Sequence, residues 1–118
     1  MADISGYIQA YGFFLIGGDA VIPVPDVVDT SLRFAAIGGH IALRDSYNNI
    51  IDKVGYGNAT NPEGNACPAP PTDNSMERKP GYLNSTAGNG WDSDNNLEDF
   101  ILRNETEPQN STIFEYPY

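Results

Sequence analysis

One stretch of the chain has the spacing of a ligand set: Asp92-Ser93-Asp94-Asn95-Asn96-Leu97-Glu98-Asp99. Side-chain oxygens at alternate positions of a turn, with more carboxylates close behind, can wrap a hard cation such as Ca²⁺. The predicted calcium ligands are Asp92, Asp94, Asn96 and Asp99. The pattern is not an EF-hand, because Leu97 stands where that loop needs Gly and Arg103 where it needs the bidentate Glu. The alternative is an Asx-rich turn whose carboxylates accept bonds from the local backbone and hold no ion.

Other reactive residue types are too few or too scattered to assemble a reaction. His40 is the only histidine and falls inside a predicted strand, where a hydrogen-bonded structural role is expected. No Gly-x-Ser-x-Gly nucleophile motif is present. Cys67 is the only cysteine, so no internal disulfide forms, and no basic neighbour in sequence activates its thiol. Carboxylate pairs of the glycosidase kind arise by chance in a chain with 16 acidic residues. The expectation is therefore no enzyme, and no cofactor beyond the candidate calcium.

Three further features bear on binding. Arg78, in Glu77-Arg78-Lys79, is expected to pair with Asp99 or Glu98. Tyr47, Tyr56, Tyr82, Trp91, Tyr116 and Tyr118 could stack on sugar rings or on a partner protein. Of these, Trp91 is expected to be a core plug beneath a loop. Glycosylation sequons begin at Asn58, Asn84, Asn104 and Asn110.

The elements that must position these residues are short strands. Gly38 to Gly57 predicts a β-hairpin, two apolar-rich runs around a cluster of turn formers. A two-residue Asn48-Asn49 turn would set Leu43 against Val54, but also Asp45 against Asp52 and Arg44 against Lys53. The favoured register has Asp45 opening a type I turn and Asn48 left-handed, with Leu43 opposite Ile51. Tyr11 to Ile16 predicts a strand buried on both faces, and Pro23 and Pro25 confine the next segment to an edge or loop. Residues 26–36 read as irregular. Asn58 to Asp73 reads as a long surface loop, Ser75 to Lys79 as a strand, and Leu97 to Arg103 as the last strand. Residues 104–118 have the composition of a linker-like C-terminal tail.

The totals bound the partners. Sixteen acidic against six basic residues give a formal net charge of −10. Such a surface repels phosphate backbones and anionic headgroups, which disfavours nucleic acid and membrane surface. It suits cations, neutral sugars and basic protein patches. No run approaches the roughly 20 apolar residues of a bilayer span. The first residues lack the basic and apolar regions of a signal peptide, so an exported protein would have its signal upstream or already removed. Twelve glycines, nine prolines and no convincing amphipathic helix predict an all-β sandwich in a single domain.

With these segments in order, the chain resembles the lamin-tail domain family in its prokaryotic, extracellular branch. The resemblance is carried by Tyr11-Gly12-Phe13-Phe14-Leu15-Ile16, by Gly38 to Asp45, and by Ile51-Asp52-Lys53-Val54-Gly55-Tyr56-Gly57. It continues through Ser75 to Gly81, Asp92 to Phe100, and the closing Pro108-Gln109-Asn110-Ser111. It implies an immunoglobulin-like β-sandwich over residues 1–103, without catalysis, in a secreted or cell-surface protein. Its partners would be proteins or neighbouring domains of the same chain, with glycans as the other class. The family's opening strand is absent or shortened here, since Asp3-Ile4-Ser5-Gly6-Tyr7 runs almost directly into Tyr11. That leaves an open sheet edge, to be covered by the Ile113–Tyr118 tail or by a second copy in a homo-oligomer.

Overall fold

A computed structural model describes residues 3–81 and 88–116. The best-formed element is the predicted hairpin, β3 (Gly38–Arg44) against β4 (Ile50–Gly57), antiparallel. Short parallel strands β1 (Ile16–Gly17) and β2 (Val27–Val28) precede it, and β5 (Ser75–Arg78) pairs antiparallel with β6 (Phe100–Arg103) after it. One helical turn, α1 (Asn96–Asp99), leads into β6. Among the described residues the architecture is β-rich, built from three two-stranded sheets.

The hairpin turn follows from Asp45. Its Oδ1 accepts the Tyr47 and Asn49 amides at 2.9 and 2.8 Å, and Oδ2 accepts the Asn49 side-chain amide at 2.9 Å. The Asn48 amide bonds Asp45 O at 3.0 Å and Asn48 takes φ +69°, which Asn tolerates better than most residues. The favoured turn is therefore present, and the two-residue Asn48-Asn49 alternative is not. The register beyond it differs from expectation by one residue. Arg44 pairs with Ile50 but Leu43 pairs with Asp52, so Ile51 bulges out between them. At the open end Gly57 has φ +59°, and a Cβ there would lie 2.1 Å from Ile37 O. Only Gly fits this closure, which the Asn58 amide completes on Ile37 O at 3.0 Å.

The other edge of β4 is occupied by Cys67. Gly57 N bonds Cys67 O at 2.8 Å and Cys67 N bonds Gly55 O at 3.0 Å. Cys67 is thus a core residue rather than a surface-loop thiol, and burial pushes its pKa up. It and Tyr56 are the buried large or sulfur-bearing apolar side chains of the described core, joined by the polar Asn96 and Asp99. Tyr56 satisfies its hydroxyl by donating to Ala35 O at 2.9 Å.

Two strand expectations need correction. The Tyr11–Ile16 run is half-buried and not buried on both faces, and only its end, Ile16, pairs with a strand. Leu97 to Arg103 is not one strand: α1 forms where the Glu98 and Asp99 amides both turn back to Asn95 O. Asx-rich segments favour such local turns over ladder pairing.

The linker-like tail folds back. Phe114 bridges Gly12 antiparallel, Glu115 N bonds Tyr11 O at 2.9 Å, and the Tyr116 ring lies 5.3 Å from that of Tyr11. Asp26 anchors the turn before it, accepting both the Ser111 hydroxyl and its amide as well as the Leu15 amide. No helix among the described residues is long and apolar enough to cross a membrane.

Candidate carboxylate site

The Asp92–Asp99 run is held to the hairpin by Asn96. Its Oδ1 accepts the Gly55 and Glu63 amides at 2.7 and 3.0 Å, while Nδ2 donates to Lys53 O at 2.9 Å. Asp99 is equally inward. Its Oδ1 accepts the Ser93 amide and hydroxyl at 2.9 and 2.5 Å, and Oδ2 accepts the Asn95 amide at 3.2 Å. Both side chains are fully buried. Of the predicted calcium set, Asn96 and Asp99 have oxygens that accept protein amides and, for Asp99, the Ser93 hydroxyl, as an Asx-rich turn does.

Asp92 and Asp94 remain at the surface, and the fold brings them a third carboxylate from a distant loop. Oxygens of Glu63, Asp92 and Asp94 all lie within 4.8 Å of one another. Two strands of backbone bonding deliver Glu63: Asn96 N to Glu63 O at 2.9 Å and Leu97 N to Asn65 O at 2.9 Å. Gly64 permits the close approach. It has φ +58°, and a Cβ would meet the Asn95 carboxamide at 2.8 Å. Desolvation, and then the charges of Asp52, Asp92 and Asp94, raise the Glu63 pKa, with Lys53 opposing. Converging carboxylates that repel each other are what a hard divalent cation would relieve. Glu63 was not legible as a member, because it lies about thirty positions away and no local motif marks it.

Arg78 organises the opposite side. Its guanidinium is 13% exposed, bonds Asp52 Oδ2 at 2.5 Å, and lies 3.6 Å from Asp92 and 3.9 Å from Asp99. It also donates to Trp91 O at 2.9 Å and stacks 4.7 Å from the centre of the Phe100 ring. Asp99 was expected as a partner; Asp52, on the hairpin, is the closer one, and Glu98 is not among the acids that reach it.

Trp91 is not a core plug. It is 46% exposed, beside an open hollow of about 490 Å³ lined by Lys79, Pro80, Trp91, Ser93 and Glu98. A second hollow of about 330 Å³ lies between Tyr11, Phe13, Asn89 and Glu115. Of the other aromatics, Tyr47 and Tyr116 are exposed and Tyr56 is buried, while Tyr82 and Tyr118 lie outside the described residues. His40 stands exposed on β3, its Nε2 accepting the Asn61 amide at 3.0 Å. Asn58 and Asn104 are exposed, Asn84 lies outside the described residues, and the Asn110 amide donates to Val24 O.

No family model, curated protein or solved structure matches this chain.

Proposed function

We propose that the chain is a non-catalytic interaction or structural module of a larger secreted or cell-surface protein, an immunoglobulin-like sandwich of lamin-tail type. The observation that carries this reading is the apolar surface left outside. Ile37 and Ile51 are 72% and 61% exposed, and Ile41, Leu43 and Ile50 are exposed beside them on the hairpin. Among the described residues β3 pairs on one side only. Isolated soluble domains rarely leave a long apolar strand unpaired, because its free amides and carbonyls recruit another strand. A neighbouring domain or second chain supplying that strand accounts for both features. The test is hydrogen exchange across β3, with the chain alone and joined to its neighbouring domain. Added protection of the β3 amides that face away from β4 is expected in the joined form only, together with its loss in Ile41→Lys/Leu43→Lys. Equal exchange in both states would sink the reading.

A second reading, a carbohydrate-binding or calcium-dependent adhesive module, is favoured by the convergence of Glu63, Asp92 and Asp94. A bound cation would stabilise the native state by mass action, about 2.7 kcal/mol at a hundredfold excess over Kd. Calcium should then raise the Tm of the chain but not that of Asp94→Ala. A Tm indifferent to calcium would dismiss the metal.

A further inference from the structure

We propose that the exposed face of Trp91 and the hollow beside it bind a neutral sugar ring; this rests on the carbohydrate-binding reading above and gives it a place. The tryptophan is presented on a fixed backbone. Its amide donates to Lys79 O at 3.3 Å and its carbonyl accepts from Arg78 at 2.9 Å, so both sides of the residue are tied to the end of β5. The indole nevertheless stays 46% exposed. A large apolar ring held rigidly in water loses little freedom on binding and gains buried area and contact with C–H groups.

The hollow's edges supply the polar half of the recognition. Lys79 and Glu98 flank it. One offers donors and the other acceptors, the complement that sugar hydroxyls need around a ring whose face is apolar. Ser93 adds a hydroxyl oxygen, its proton already given to Asp99. Asp92 and Asp94 follow Trp91 closely and the whole chain carries −10, which disfavours uronates, sialylated and sulfated glycans. The hollow, about 490 Å³, is open to solvent, so a ring would lie on its Trp91 wall and not inside a closed pocket.

Trp91 is the only tryptophan, so its fluorescence reports on this site alone. The full chain would be titrated with cellohexaose, xylohexaose, chitohexaose and mannohexaose while following emission, and probed in parallel on a glycan array. A saturable blue shift with at least one neutral oligosaccharide is expected. Trp91→Ala should lose about tenfold or more in affinity on the array while keeping its circular dichroism and Tm. Lys79→Ala and Glu98→Gln should each weaken binding severalfold. Array binding that survives Trp91→Ala, or that leaves emission unchanged, overturns this site while leaving the carbohydrate reading standing. Failure to bind any glycan on the array or in titration overturns both, as does saturation of the emission change by an apolar peptide in place of sugar.

Discussion

At the residue scale the molecule spends its burial on polar side chains. Asn96 and Asp99 are completely enclosed, and their cost is offset because every oxygen and nitrogen they offer has a partner in the protein. Arg78 belongs to the same network. Arg78→Met should leave Asp52 and Asp99 facing less compensation and cost about 3 kcal/mol in urea denaturation, the usual size for breaking a buried pair. The carboxylates also set the pH response. Hydrogen bonds hold Asp26, Asp29 and Asp45 below the ordinary value, from Ser111, Ser31 and Asn49 first in each case. A lowered native pKa gives stability that is full above the unfolded value, about 3.9, and lost as pH falls through the native one. Glu63 is raised, so it works in the opposite sense: its native protonation adds stability as pH falls through its raised pKa towards the unfolded value, about 4.3. Stability at low salt should therefore climb on acidification through the Glu63 transition and then collapse below about pH 4. Glu63→Gln should erase the climb and keep the collapse, measured by thermal melts across pH.

At the element scale the hairpin decides most of the order. Its turn was legible because Asp45 and Asn48 act on their own neighbours, and local hydrogen bonds do not wait for tertiary contacts. The bulge at Ile51 was not, since a bulge is set by what the strand meets beyond the turn. In its register Asp52 shares parity with Val54 and Tyr56, and its carboxylate reaches Arg78 on β5. Closure at the far end rests on Gly57. Gly57→Ala forces a Cβ onto Ile37 O at a left-handed φ and should cost about 1–3 kcal/mol, with Gly38–Arg44 amides losing protection first in hydrogen exchange. Leu97 to Arg103 shows the reverse failure. Its apolar spacing fits a strand, yet Asn95 accepts two amides locally and winds the run's first three residues, with Asn96, into α1.

At the scale of the whole molecule the two chain ends meet. Residues 109–116 bind back onto residues 11–26 through Asp26, Val24 O and the Gly12 bridge. Deleting residues 109–118 should lower the Tm by several degrees, expose the Tyr11–Ile16 segment to protease, and raise the Asp26 pKa towards the ordinary value, with the Leu15 amide still holding it down. Composition alone placed this tail among linkers, because a linker and a docked polar strap use the same residues. What the sequence by itself determined is local: the strand and turn periodicities, the Asx-rich turn and the acidic surface. These follow from neighbours a few positions apart and from charge counts. Only the tertiary structure decided which acids converge. It turned Asn96 and Asp99 inward to hold the loop of residues 63–65, and so brought Glu63 to Asp92 and Asp94. It also left Trp91 facing solvent, because burial depends on what packs above a residue, and no spacing along the chain records that.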